Sequence, residues 1–117
     1  MQNLINKSLI AVTTLTVCSE TYADTEIDWW SMGECSALYL LADDMDRSRQ
    51  VETRAVQLGA MESDSGSAFK AGAMYENGKE VTQSSYFESI ATRGKEIADK
   101  QLLTDVINNN CHEYLAK

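Results

Sequence analysis

The residues best equipped for chemistry in this sequence are three cysteines, Cys18, Cys35 and Cys111, and the single histidine, His112. Cys35, Cys111 and His112 could start a zinc site with Glu34 or Glu113 as fourth ligand, but the paired spacing of zinc-binding cysteines is missing. A Cys-x-x-Cys redox pair is also missing. Nucleophilic catalysis would have to run through His112, with Ser36 or a cysteine as nucleophile and Glu113 or Glu34 orienting the ring. Nothing in the spacing favours that over a histidine beside a disulfide. The reading adopted is a Cys35–Cys111 bridge, because an even pair of cysteines in an oxidising compartment is first of all a disulfide.

The carboxylates give little more. Asp43-Asp44-Met45-Asp46 looks like the opening of a calcium loop, but the glycine at the sixth position and the glutamate at the twelfth are absent, so a solvated helix face is expected. Glu62, Asp64, Glu76 and Glu80 are expected near one end of the fold, where paired carboxylates could do acid–base work if a cleft shifted their pKa values. No phosphate-cradling glycine loop, P-loop lysine or haem-attachment sequence occurs. No catalytic residue, metal ligand or cofactor is therefore assigned, and an enzyme is not expected. The adjacent pair Trp29-Trp30 is different, because exposed tryptophans are strong anchors of protein interfaces. It is taken as a possible interface, against the plainer alternative of one ring packed near Tyr114 and the other half-exposed.

The cysteine reading depends on compartment, and the first residues speak to that. Met1 to Lys7 carries one lysine and no acid, Ser8 to Val17 is uncharged and mostly apolar, and Thr21-Tyr22-Ala23 places small residues where signal peptidase cuts. The apolar run is about ten residues, half of what a membrane-spanning helix needs. Residues 1–23 are read as a signal peptide and 24–117 as one small helical domain, periplasmic or secreted from a bacterium. The rivals are a buried N-terminal helix and a lipid-modified Cys18, which Val17 disfavours. No stable membrane anchoring is expected once the signal is cleaved.

Cleavage would leave 9 basic and 17 acidic residues, a net charge of −8. That excludes nucleic acid and anionic lipid as natural partners, since both require a basic footprint. It is compatible with a basic protein partner. A dimer is also compatible with the five methionines and modest core.

These residues must be positioned by helices. The chain has no proline, and apolar or small residues recur at three-to-four spacing through Cys35, Leu38, Leu41, Ala42, Met45, Val51, Ala55, Leu58 and Met61. With a capping box at Ser31-Met32-Gly33-Glu34, this predicts one long helix over about 31–62. Ser63 to Ser67 reads as a break, 68–75 as a short helix ended by Asn77-Gly78, and 79–84 as ambiguous. A second box at Ser85–Glu88 precedes Phe87, Ile90, Ala91, Ile97, Ala98, Leu102, Val106 and Cys111, predicting a helix nearly to the end, weakened at Asn108–Asn110. The expected fold is all-α: an antiparallel hairpin of two long helices, with a short helix and loop at the tip, stapled by one disulfide. Both arms measure about 40 Å at 1.5 Å per residue, which sets the two cysteines side by side. Gly59, Ala60, Ala91, Gly94 and Ala98 are small enough to let helix backbones approach.

The layout resembles that of periplasmic acid-stress chaperones of enteric bacteria in being small, exported, helical and two-cysteine. The likeness is one of architecture and transfers no residues. It implies an alternative function, because protonating the carboxylates and His112 would swing the mature charge from −8 to about +10 and loosen the fold.

Overall fold

The computed structural model describes residues 27–115, which are all-helical and contain no strand. The signal-peptide reading and Cys18 lie outside these residues. Four helices follow one another, α1 (Trp29–Leu41), α2 (Met45–Gly59), α3 (Ser65–Arg93) and α4 (Lys95–Asn108), and a 3-10 turn over Cys111–Tyr114 closes the series. Among these residues no helix is long and apolar enough to cross a membrane.

The centre of the molecule is α1. Eight of its 13 residues are buried, among them Met32, Cys35, Leu38 and Tyr39. Each large apolar side chain sunk this way contributes roughly 1.5–3 kcal/mol. α1 starts at Asp28, whose carboxylate accepts from the Ser31 amide at 3.0 Å and the Ser31 hydroxyl at 2.8 Å. The expected capping box at Ser31 is thus displaced by one helical turn, with Ser31 inside the helix.

α1 ends in a left-handed residue. Asp43 has φ 63°, and the amides of Asp43 and Asp44 bond back to the Leu40 and Tyr39 carbonyls at 3.0 and 2.8 Å. This is a Schellman closure, usually carried by glycine. Asp44 at once caps α2, accepting from the Arg47 amide at 3.1 Å and from its guanidinium at 2.6 Å. The expected single helix over 31–62 is therefore two helices, because three consecutive residues close one and open the next without interrupting the apolar spacing. Asp43 and Asp44 form this joint and do not lie on a helix face. α2 is tied to α1 by Ser48, whose hydroxyl donates to the Ser36 carbonyl at 2.9 Å, while Val51 and Ala55 complete its buried side.

The expected tip is also a helix. Asp64 caps α3 through the Ser67 amide at 2.7 Å, and α3 runs on for 29 residues through Asn77-Gly78 and through the second proposed capping box at Ser85, which is helix interior. Asn77-Gly78 does not end a helix because Gly78 is held by packing. A Cβ added at Gly78 would run into the Trp30 carbonyl of α1, and one added at Gly33 would run into the Tyr75 carbonyl of α3. The two helices cross backbone to backbone through this glycine pair. The hairpin of two long arms is thus replaced by a short central helix crossed by the longest one, with α2 and α4 alongside. Gly94, at φ 93°, makes the turn between α3 and α4. Asn110, at φ 52°, bends the chain after α4 and sets Cys111 against α1. The Cys35–Cys111 disulfide is formed, with Cα atoms 5.3 Å apart. The pairing read from the cysteine count stands, although the equal-arm geometry offered in its support does not.

Candidate functional site: an apolar groove between two helices

α2 and α3 both pack on α1 but barely touch one another. A groove of about 500 Å³ opens between them. Its floor is Trp29, Ala55, Ala71 and Tyr75, all buried. Val56, 66% exposed, stands on the α2 wall, and Phe69, 80% exposed, stands on the α3 wall. The other lining residues are Gly59, Ala68, Gly72 and Ala73, with Glu52 and Glu76 as the charged members. Leaving a phenylalanine this far in water forgoes roughly 1.5–3 kcal/mol of burial, and it stands beside a carbon-lined cavity that does not take it in.

Two helical glycines line the groove. A Cβ at Gly59 or Gly72 would meet nothing within 4 Å. A glycine inside a helix costs about 0.5–1 kcal/mol relative to alanine, and at Gly33 and Gly78 the crossing of α1 and α3 accounts for that cost. At Gly72, in the interior of α3, no contact among the described residues does.

A second concavity, about 260 Å³, lies between α1, α3 and α4 and is polar, with Glu34, Ser85, Ser89, Arg93, Gln101 and Asp105 among its lining residues. Burial pushes the Glu34 carboxyl above its usual range, opposed by the Trp30 side chain and reinforced by Asp28 and Asp105. Nearby, the Tyr86 hydroxyl donates to Asp99 at 2.6 Å, and the Lys95 ammonium reaches the same carboxylate at 2.7 Å. Lys95 first, then Tyr86, holds the Asp99 carboxyl below its usual range. These polar groups largely serve one another, and no nucleophile is paired with a base among them.

Trp29 is 9% exposed and forms part of the groove floor; Trp30 is half-buried where α1 meets α3. Cys35 and Cys111 are fully buried in their disulfide, while His112 is exposed on the 3-10 turn. The expected gathering of carboxylates does not occur. Asp64 caps α3, Glu62 lies in the connection before it, and Glu76 and Glu80 sit exposed farther along α3. Among the described residues no three of His, Cys, Asp and Glu come together as metal ligands.

Sequence reasoning pointed at Trp29 but missed Val56, Phe69 and Gly72. Phe69 falls on the short helix that the sequence predicts over 68–75, and its exposure is set by the splay of α2 from α3, which no local pattern encodes. Compared with protein-family models, curated proteins and solved structures, the chain matches none.

Proposed function

We propose that this protein is a binding module without catalytic activity, exported to the bacterial periplasm, and that the groove between α2 and α3 is its working surface. The observation that carries this reading is Phe69, 80% exposed beside a cavity whose other lining residues are mostly apolar or glycine. An apolar concavity with few charges is the ordinary form of a recognition site. A mostly apolar exposed wall is a common mark of an interaction surface.

The test is binding of an apolar fluorescent dye at neutral pH to the folded protein, compared with the double variant Val56→Ser/Phe69→Ser. Both side chains are mostly in water, so the variant keeps its fold and loses most of the dye signal. Equal signals from the two proteins would refute the reading. Export is tested separately by the intact mass of the protein recovered from cells. A mass for Asp24–Lys117 less two hydrogens agrees with it, and a full-length mass with free thiols overturns it.

A second reading, an acid-stress chaperone, is favoured by one specific feature. Three carboxylates, Asp44 and Asp64 at helix N-caps and Asp99 between Lys95 of α4 and Tyr86 of α3, are kept below their usual pKa by hydrogen bonds or cations at those places. All three contribute stability at neutral pH that drains as the pH falls through their lowered folded values. Protection of aggregating client proteins near pH 2–3 is the expected activity, and its absence would dispose of this reading.

A further inference from the structure

The groove has a length, a charge and a floor, and together they describe what fits it. Its α3 wall runs from Ala68 to Glu76, about 12 Å at 1.5 Å per residue, or two helical turns. Small lining residues stand four apart on both helices, Ala55 in the floor and Gly59 on α2, Ala68 and Gly72 on α3. Both glycines look into open space. That relief lets a third helix sink until its backbone nears the walls, as α1 and α3 already do through Gly33 and Gly78.

Among the described residues, the charged ones lining the groove are Glu52 and Glu76, the latter 3.7 Å from the Lys79 ammonium. A second copy of this chain would bring the same two carboxylates and a further net charge of −8 to the contact, where like charges repel. A basic ligand meets the opposite situation.

We infer that the occupant of the groove is an amphipathic helix of another protein, with apolar residues at helical spacing on one face and lysine or arginine along its flank. The inference rests on the binding-module reading above. Val56 and Phe69 close on the apolar face of the incoming helix in the helix-in-groove mode. Glu52 and Glu76 receive its basic flank and set its direction. Gly72 and Gly59 fix how deeply it seats.

The test uses two synthetic peptides of about 16 residues, long enough to form helix on binding. They share one leucine–alanine face and differ in having lysine or glutamate on the flanks. Each is titrated into the purified disulfide-bonded protein while the fluorescence of Trp29 and Trp30 is followed. The lysine peptide is expected to bind at least about tenfold more tightly at low salt, with the difference shrinking at about 0.5 M salt. Gly72→Leu fills the groove from a position where the chain itself has room. It should weaken the lysine peptide by about tenfold or more while leaving the melting temperature unchanged or higher, and Gly59→Leu should act in the same direction. Glu52→Gln with Glu76→Gln should erase the preference for lysine and keep the apolar part of the binding.

Equal affinity for both peptides would overturn the basic helix while leaving an apolar docking site in place. No binding of either peptide, together with a failed dye test, would sink both readings. A dimer that forms in the protein alone and is dispersed by Gly72→Leu would assign the groove to a second copy and overturn the inference.

Discussion

α3 presents a glycine to each of two regions, and the two could hardly be used more differently. At Gly78 it meets α1 so closely that no side chain fits, and the opposing Gly33 completes the contact. At Gly72, about 9 Å along the same helix at 1.5 Å per residue, the glycine faces an empty groove. The first region is filled from within and fixes the fold. The second has the same small-residue relief with none of the described residues in it. Inside α3, glycine serves a close approach at Gly78, while at Gly72 no described residue comes near.

The largest expected effect falls on the filled region. Cys35 follows Gly33 on α1, and its bridge to Cys111 closes a loop with a sequence separation of 76. On loop-closure entropy alone, Cys35→Ser with Cys111→Ser removes about 4–5 kcal/mol, read by urea denaturation. For a domain of this size that is a large part of the net stability. A loss under about 1 kcal/mol would mean that the α1–α3 crossing holds without the staple.

Next comes the glycine contrast itself. Gly33→Ala and Gly78→Ala each force a methyl group into a facing backbone carbonyl, which cannot swing aside as a side chain can. Each is expected to cost about 3 kcal/mol, the upper end for overpacking. Gly72→Ala should have the opposite sign and stabilise the free protein by about 0.5–1 kcal/mol, because it improves helix propensity and touches nothing. Thermal and urea denaturation of the three variants make a compact set. If Gly72→Ala were as damaging as Gly33→Ala, the groove would be closed in solution and the two regions would not differ.

Much of this fold is written in local pattern, and the proposed binding groove is not. The all-helical class follows from apolar spacing and the absence of proline, the Cys35–Cys111 bridge follows from the cysteine count, and the bend at Asn108–Asn110 follows from three poor helix formers. The break at Asp43 escaped because its left-handed residue is an aspartate and not a glycine, while Leu41, Ala42 and Met45 carry the helical spacing across it. Asn77-Gly78 read as a helix end for the converse reason, since only the Trp30 carbonyl of α1 shows why glycine is needed inside α3. Ser63 to Ser67 did mark a real break, between α2 and α3, but not the angle at which the helices part. The groove depends on that angle. Trp29 could be singled out by type, but Phe69 and Val56 could not, because their exposure is a tertiary property.

Acid gives the smallest effect and sharpens the comparison most finely, because it acts on the two regions with opposite sign. Both helices that flank the groove begin at an aspartate cap, Asp44 for α2 and Asp64 for α3. Asp44 is held below its usual pKa chiefly by the Arg47 side chain, and Asp64 chiefly by the Ser67 amide. A carboxyl with a depressed folded pKa contributes stability that is complete above its unfolded value, near 4, and is lost as pH falls through the folded value. Glu34, at the crossing, is shifted the other way by burial. The folded protein takes up its proton more readily than the unfolded chain, so acid relieves a penalty there. Lowering the pH from 7 to about 3 should therefore loosen the first turns of α2 and α3 before the α1–α3 contact. Hydrogen exchange, corrected for its intrinsic pH dependence, should show amides 47–48 and 67–68, which bond to the caps, losing protection while 32–38 and 75–82 keep theirs. Asp44→Asn and Asp64→Asn retain a side-chain acceptor for the cap but cannot titrate, and together they should flatten this response. If the crossing opened first, or if the asparagine pair left the response unchanged, the caps would not be what acid acts on.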